Sequence, residues 1–230
     1  MWVYLRAEQQ EWQPSSTCVA YYKLEDDFLD YSWNGYDLTN NWIVLGTSAD
    51  GYKGGQLWPN MYATTSAFDF SLTQSSPRTI AFRTGCNTMM TGSWTTTILL
   101  SYVTVNDVNS WLWYTTYNYQ TRWLWNIWSQ EAGWMPTQQP IDIWVNFIDN
   151  NVMHSYVFVT NSAGFTAYKD GVQVYTWSST WSKNASCAWF RIGANQSATG
   201  RYSNWYIRQV VIDNSVWTAQ DVSDYHNWTV

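Results

Sequence analysis

Short stretches of alternating apolar and polar residues run through this 230-residue sequence, and turn-forming Gly, Asn, Asp and Ser separate them. Successive side chains on a β-strand point to opposite faces, so a period of two is typical of half-buried strands, whereas no helical period runs through the body of the chain. This pattern predicts an all-β fold, a jelly-roll β-sandwich of two antiparallel sheets. The candidate strands are 18–24, 79–83, 96–103, 110–114, 122–127, 141–147, 155–160, 165–168, 172–177, 189–192 and 205–213.

The clearest turn signal lies in AYKDGVQVYTW, at 167–177. Asp170-Gly171 sits between apolar β-formers, and an Asp-Gly pair in this setting favours a tight hairpin because glycine adopts positive φ without steric cost. We interpret this pair as part of the scaffold and not as a catalytic motif.

One short helix is predicted near the end of the chain. Thr218 and Asp221 have the spacing of a capping box, in which a Thr caps the helix and an acid three residues later returns a hydrogen bond. Val222 and Tyr225 follow on one face of this helix.

Charge is sparse, at 12% of residues, with a formal net charge of −6 and no basic cluster. Nucleic-acid binding needs a concentrated positive field, so nucleic acid is excluded as a partner. The longest strongly apolar run, near 98–103, is too short to span a bilayer, so membrane insertion is not expected.

The N-terminal stretch MWVYLRAEQQ lacks the basic-then-apolar layout of a secretory signal, so no signal peptide is recognisable. Export by another route, removal of a signal with Met1 added, and assembly inside a cell all stay open. Residues 1–14 are interpreted as an arm separate from the sandwich domain at 15–230. This arm is either a loose terminus or a strand that docks on a neighbouring subunit.

The three cysteines, Cys18, Cys86 and Cys187, form no metal-binding or redox spacing. We expect them to be small buried apolar residues. A single disulfide stays open as an alternative, and the sequence does not choose the pair.

Aromatic residues are unusually abundant, with 19 Trp and 17 Tyr, and one core is too small to hide them all. Two Trp-Leu-Trp triplets stand out. A hairpin centred on Asn118 would place Trp113 opposite Trp123 and Trp111 opposite Trp125, so that all four share one face.

That face serves either as the core side of the hairpin, which we favour, or as a platform on which sugar rings stack. Trp128 and Trp134, in the segment after the second triplet, are the better candidates for exposed aromatics.

Four segments, read in order, carry a family resemblance. VAYYKLEDDFLDYSWNGYDLTNN (19–41) resembles the opening strand and the Asp-Ser-Asn-Gly loop, here Asp30, Ser32, Asn34 and Gly35, of laminin-G-like, concanavalin A-like domains. MHSYVFVTNSAGFTAYKDGVQVYTW (153–177), WFRIGANQ (189–196) and NWYIRQVVIDNSVWTAQDV (204–222) are similar to the later strands and closing helix of that family, and the segments cover about half of the chain. The resemblance implies a concanavalin A-like jelly roll of the lectin and glucanase type. Where the family often has an acidic pair on the closing strand, this chain has Arg208-Gln209.

Glycoside hydrolases of this fold need paired carboxylates, supplied by Glu-x-Asp-x-Glu on one strand. The four Glu residues, at 8, 11, 25 and 131, do not form that motif. His154 and His226 are interpreted as packing or surface residues. No enzymatic activity is therefore expected.

Calcium is the one cofactor that the sequence suggests. The acidic loop 25–37 offers oxygen ligands, with Asp30 the best candidate and Asp27 and Asp37 beside it, and calcium-binding relatives are known among the domains that the chain resembles. The favoured alternative is that these side chains cap turns.

Two functions remain at this point. The resemblance implies a non-catalytic, lectin-like module for recognition or adhesion, which would bind a cell-surface or matrix glycan outside the cell. The alternative is a structural or decoration subunit of a larger particle, such as a phage virion or surface filament. Its partners would be protein subunits, including copies of itself.

Overall fold

The computed structural model describes most of the chain, and every structural statement below concerns that part. In segments 96–104, 111–119, 122–130 and 137–141 only the backbone is described, apart from the side chain of Leu100. The described residues are 13–58, 60–65, 77–86, 96–104, 111–119, 122–130, 137–141, 152–177, 187–194 and 205–227.

Within these residues the chain forms fifteen strands and one helix, α1, at Ala219–Asn227. The strands are β1 Cys18–Tyr22, β2 Thr39–Asn41, β3 Val44–Thr47, β4 Lys53–Leu57, β5 Tyr62–Thr64, β6 Arg78–Cys86, β7 Thr96–Thr104, β8 Trp111–Tyr119, β9 Arg122–Gln130, β10 Thr137–Ile141, β11 His154–Asn161, β12 Gly164–Lys169, β13 Val172–Trp177, β14 Cys187–Ile192 and β15 Trp205–Asp213.

The described strands form two sheets in which all observed pairs are antiparallel. The helix sheet, on which α1 packs, has the order β13-β12-β11-β6-β15-β4-β3. In addition, β1 pairs with the C-terminal part of β15. The second sheet has the order β10-β9-β8-β7-β14-β5-β2. The predicted β-sandwich of two antiparallel sheets with one C-terminal helix is confirmed.

The main core lies between the sheets. Phe82, Phe158 and Ile207 of the helix sheet are buried in one cluster with Leu100 and Phe190 of the second sheet. Because burying a large apolar side chain contributes roughly 1.5–3 kcal/mol, this layer is what holds the two sheets together.

A smaller apolar cluster lies on the outer face of the helix sheet, beneath α1. Val222 and Tyr225 of the helix pack there with Val157 and Val211. The side chains that the sequence placed on one helix face are therefore the ones that dock the helix.

The capping box at the start of α1 is confirmed. Asp221 N–H donates to Thr218 Oγ1 at 3.2 Å, and Thr218 N–H donates to Asp221 Oδ2 at 2.7 Å. These reciprocal bonds satisfy donors that a helix leaves unpaired at its N-terminus.

The Asp-Gly hairpin is also confirmed. Lys169 lies opposite Val172 across β12 and β13, and Asp170 and Gly171 form the two-residue connection with φ of 50° and 77°. Positive φ at both positions defines a turn whose twist matches that of the flanking strands.

Ten of the eleven predicted strands coincide with observed ones, although several observed strands are longer. The eleventh, 141–147, falls outside the described residues except for Ile141, which ends β10. Four short strands, β2 to β5, were not predicted, and neither was β10. The sequence of β4 contains Gly54 and Gly55, which weaken a strand signal. Their role is steric, because a Cβ on Gly54 would lie 3.0 Å from the Ile207 carbonyl oxygen.

The predicted register of the tryptophan hairpin was wrong. β8 and β9 do pair, but Trp113 lies opposite Trp128, and Asn118 lies opposite Trp123. The observed ladder has nine backbone pairs, from Trp111–Gln130 to Tyr119–Arg122, more than a turn centred on Asn118 would allow. By strand alternation, positions 111 and 113 lie on one face and positions 123 and 125 on the other, so the four do not share a face.

The division between an arm at 1–14 and a domain at 15–230 stays a prediction, because residues 1–12 lie outside the described part. The described start of the domain is fixed to the closing strand. Ser15 Oγ donates to Asp213 Oδ2 at 2.7 Å, and Asn214 N–H donates to the Thr17 carbonyl at 3.0 Å.

Candidate functional site

Trp42 lies on the short corner that joins the edge strand β2 of the second sheet to the edge strand β3 of the helix sheet. Its side chain is 80% exposed, and its φ is 74°. Asn40 holds this corner, since Ile43 N–H donates to Asn40 Oδ1 at 2.9 Å and Asn40 Nδ2 donates to the Ile43 carbonyl at 3.0 Å. Ile43 itself is buried, so a rigid turn presents Trp42 to solvent.

Trp58 lies on the return connection from β4 to β5. Val44 is opposite Gln56 in the helix sheet and Asn41 is opposite Tyr62 in the second sheet, so residues 42–43 and the described residues 58, 60 and 61 lie at the same edge of the two sheets. Trp58 is 42% exposed. We call Trp42 and Trp58 together the aromatic corner.

The connection that carries Trp58 is tightly packed. Met61 N–H donates to the Trp58 carbonyl at 3.0 Å. A Cβ on Gly193 would lie 2.7 Å from the Met61 carbonyl oxygen, so this approach requires glycine at the end of β14. Both connections of the aromatic corner are therefore fixed by close contacts.

The backbone at Trp42 is strained. A bulky residue with positive φ is a true outlier, and such conformations cost of the order of 1–3 kcal/mol. Stability alone would favour Gly or Asn in this turn and would not leave an indole in water. Backbone strain of this kind concentrates at functional sites.

Trp33 shows the same combination on the loop after β1, with φ of 75° and 91% exposure. Asn34 Nδ2 fixes this loop by donating to the carbonyls of Cys18 at 2.9 Å and Val19 at 3.0 Å. Among the described residues, Leu29 is the other large apolar side chain exposed on this loop, so Trp33 has no second exposed indole beside it there.

Sequence reasoning missed Trp33, Trp42 and Trp58. The available signal was their setting among turn-forming residues, in Ser32-Trp33-Asn34-Gly35 and Asn40-Asn41-Trp42. The tryptophans chosen from the sequence are not tested, because for Trp111, Trp113, Trp123, Trp125 and Trp128 only the backbone is described and Trp134 lies outside the described residues.

The acidic loop is organised around Asp30. Asp30 Oδ1 accepts from the backbone N–H of Tyr21 at 3.0 Å and of Ser32 at 2.9 Å, and Oδ2 accepts from the N–H of Tyr36 at 3.0 Å. Asp37 Oδ1 in turn accepts the Asp30 N–H at 2.8 Å. These bonds show the turn-capping role that the sequence analysis favoured.

Asp27 is engaged in the same loop, where it accepts the Leu29 N–H at 3.2 Å and the Tyr31 hydroxyl at 2.8 Å. Among the described residues no group of three His, Cys, Asp or Glu side chains is arranged to hold a metal ion. Calcium binding at Asp30, Asp27 and Asp37 stays a prediction.

Both histidines lie near one carboxylate. His154 Nδ1 is 2.7 Å from Asp170 Oδ2, and His226 Nδ1 is 4.0 Å from Asp170 Oδ1. Ser155 Oγ is 2.9 Å from the same His226 nitrogen. In a Ser-His-Asp triad the two ring nitrogens serve the Ser and the Asp separately, and here one nitrogen faces both. Because Ser155 is also buried, this cluster joins β11 to the β12–β13 turn and to α1 and does not form a nucleophilic site.

The electrostatics of the cluster follow from burial and charge. Burial lowers the pKa of His226, with a smaller opposing effect of Asp170. Burial raises the pKa of Asp170, but the hydrogen bond and charge of His154 outweigh it, so the pKa of this carboxyl is lowered overall. The neutral His226 and the ionised Asp170 are thus the forms that the fold favours.

Cys18 is a free, buried thiol, and Sγ donates to the carbonyl oxygens of Ala20 and Ile212. Burial raises the pKa of this thiol, and Asp213 and Asp30 add to the shift. A protonated, inaccessible thiol is unreactive, so Cys18 has the structural role expected from the sequence.

The chain matches no protein-family model and no curated protein sequence. Solved structures share its fold at low sequence identity. One is domain 4 of AbnA, a GH43 extracellular arabinanase from Geobacillus stearothermophilus, in complex with arabinotriose. It is 15% identical, with a TM-score of 0.61 over 90% of this chain and 97% of that one.

Two others are binding domains of botulinum neurotoxin serotype D. One is 10% identical with a TM-score of 0.71 and 93% of this chain covered, and 52% of that chain. The other, in complex with N-acetylneuraminic acid, is 11% identical with a TM-score of 0.65, covering 93% of this chain and 51% of that one. This chain therefore spans about half the length of the toxin domains that it matches.

No helix within the described residues is long and apolar enough to cross a membrane.

Proposed function

We propose that this chain is a non-catalytic carbohydrate-binding module and that the aromatic corner contacts the sugar. The observation that carries the proposal is Trp42, a tryptophan held in a strained conformation by Asn40 and 80% exposed. Trp58 stands on the adjacent connection.

The chemistry of the corner suits a glycan. The C–H faces of sugar rings are apolar and stack on indole, while the ring hydroxyls need polar partners nearby. Tryptophan offers a large, rigid contact area at a low entropy cost, and it is enriched among residues that dominate binding energy. A turn fixed before binding reduces that cost further.

The structural neighbours support the proposal by analogy. Two of them are in complex with arabinotriose and with N-acetylneuraminic acid. A shared fold does not establish a shared ligand, so the argument rests on the corner itself. We also propose that the module acts outside the cell and binds a cell-surface or matrix glycan. This is the kind of role that the resemblance of its sequence to laminin-G-like domains implies.

The absence of catalysis is part of the proposal. The sequence lacks the carboxylate motif of hydrolases with this fold, and the Ser155–His226–Asp170 geometry does not fit a triad.

A particle subunit is the alternative, and it depends on an arm at 1–14 that docks on a neighbour. Sedimentation of the full chain and of a chain lacking 1–14 tests it. Loss of self-association with an unchanged fold would support the subunit hypothesis.

Binding of the full chain to a broad glycan array, before and after Trp42→Ala, tests the proposed function. We expect a defined set of glycans to bind and the variant to lose about thirtyfold or more in affinity, as hot-spot tryptophans do. Trp33→Ala is the matched control, since it removes an indole of similar exposure and φ from another loop. Loss of binding in Trp33→Ala alone would assign the site to the acidic loop instead.

A further inference from the structure

The aromatic corner continues into the second sheet. Tyr62, the first residue of β5, lies opposite Asn41, which directly precedes Trp42. β5 then pairs with β14, where Arg191 lies opposite Thr64. The edge strand β2, its neighbour β5 and the next strand, β14, thus form one surface that begins at the corner.

Strand alternation identifies the outer face of this surface. Ala63, Phe190 and Ile192 are buried in the core between the sheets. Tyr62 and Arg191 alternate with these residues along their strands and are half-buried, so they lie on the outer face.

Trp189 completes the surface two residues before Arg191 on the same face of β14, and it too is half-buried. The Arg191 guanidinium carbon lies 4.0 Å from the Trp189 ring centroid and 4.9 Å from the Tyr62 ring centroid. Cation–π contacts with both rings hold Arg191 in place. Its planar set of N–H donors is therefore positioned against two aromatic rings.

We infer that Trp42, Trp58, Tyr62, Arg191 and Trp189 form one continuous aromatic strip, which binds a linear oligosaccharide laid across β2, β5 and β14. This inference rests on the proposed function and names its ligand class. Strands are spaced about 4.8 Å apart, so β2 and β14 are separated by roughly 10 Å, more than one sugar ring covers. Aromatic rings at both ends would stack on different sugars of the chain, and Arg191 would donate to oxygens of a sugar between them.

A glycan array that carries linear arabino-, xylo-, cello- and sialyl-oligosaccharides, each from the monosaccharide to the hexasaccharide, tests the inference. In the series that binds, we expect affinity to rise about tenfold or more from monosaccharide to tetrasaccharide, because added sugars reach new contacts. Trp42→Ala should weaken binding at every length. Trp189→Ala should remove the gain with length and leave the shortest bound oligosaccharide unaffected.

Arg191→Gln provides a second variant in case Trp189→Ala unfolds. It should reduce the rise in affinity with oligosaccharide length and leave β14 folded. Trp33→Ala is again the control and should leave the length dependence unchanged. Two results would refute the strip: equal affinity of the unaltered chain for short and long oligosaccharides, or an unchanged rise in affinity with length in both Trp189→Ala and Arg191→Gln. Neither result would contradict sugar binding at the aromatic corner. Failure of the unaltered chain to bind any glycan would instead refute the proposed function, and the strip with it.

Discussion

The guanidinium of Arg83, on β6, closes the C-terminal end of α1 by donating from Nη2 to the carbonyl oxygen of Tyr225 at 3.0 Å. The same nitrogen donates to the His226 carbonyl, and the guanidinium carbon lies 5.6 Å from the Tyr225 ring centroid. Burial lowers the pKa of Arg83, yet an arginine stays charged under all ordinary conditions. A cation at this position also complements the negative end of the helix dipole.

Arg83→Met should therefore destabilise the fold. Methionine fills similar space but leaves two carbonyl oxygens without their charged donor, which costs about 2–3 kcal/mol. Urea unfolding followed by tryptophan fluorescence measures the change. Lys53→Met is the control, because the exposed Lys53–Asp26 ion pair should contribute nothing measurable. Equal effects of the two substitutions would show that the cap is not what stabilises α1.

Asp30→Ala tests the organisation of the acidic loop. Three backbone N–H groups would lose their acceptor, so we expect a loss of about 2–3 kcal/mol in the free energy of unfolding. Asp26→Ala, on an exposed side chain of the same loop, should have little effect. Thermal melts with EDTA and with millimolar calcium distinguish the two roles of Asp30. A calcium-dependent rise in melting temperature that disappears in Asp30→Ala would show that the loop holds the ion.

The free energy of unfolding should fall in two steps as the pH is lowered, first when His226 is protonated and then when Asp170 is protonated. The pKa of His226 is lowered in the folded state, so below its ordinary value of 6.5 the unfolded chain binds more protons and stability is lost as pH falls. The pKa of Asp170 is also lowered, so its contribution is present above 3.8 and is lost as pH falls further.

Urea unfolding between about pH 8 and about pH 3 measures both steps. His226→Gln keeps a hydrogen-bonding group near Ser155 and should remove the first step only. A first step that survives in His226→Gln would assign it to another group.

Local sequence signals predicted the parts of this fold that local interactions determine. Asp170-Gly171 specifies its own turn, and Thr218 and Asp221 cap the helix within one turn of chain. Longer-range features were not predictable in this way. Gly54 and Gly55 form a strand because β15 lies directly against them, which a search for β-forming residues does not detect.

The candidate site was harder to predict than the fold, for the same reason. Trp42 and Trp58 lie on neighbouring connections only because β2–β3 and β4–β5 are joined at the same edge of the two sheets. Ser155 and His226, 71 positions apart, meet only after α1 docks on the helix sheet. In the tryptophan hairpin a local pattern was misleading, since the repeated Trp-Leu-Trp motif suggested a register that β8 and β9 do not adopt.

Trp42→Gly should separate stability from binding at the aromatic corner. Relief of the left-handed strain gains about 1–2 kcal/mol, and the greater freedom of glycine in the unfolded chain offsets about 0.5–1 kcal/mol of it. The free energy of unfolding should therefore be unchanged or slightly higher, while glycan binding is lost with the indole. Asn40→Ala should have the opposite effects, lowering stability while keeping part of the binding. It keeps the indole but removes both hydrogen bonds to Ile43, so stability should drop by about 1–2 kcal/mol and affinity should weaken without vanishing. Urea unfolding and glycan binding, measured on the same preparations, give both quantities. A Trp42→Gly variant that is clearly less stable than the unaltered chain would mean that the indole supports the fold, and the functional reading of its strain would then be wrong.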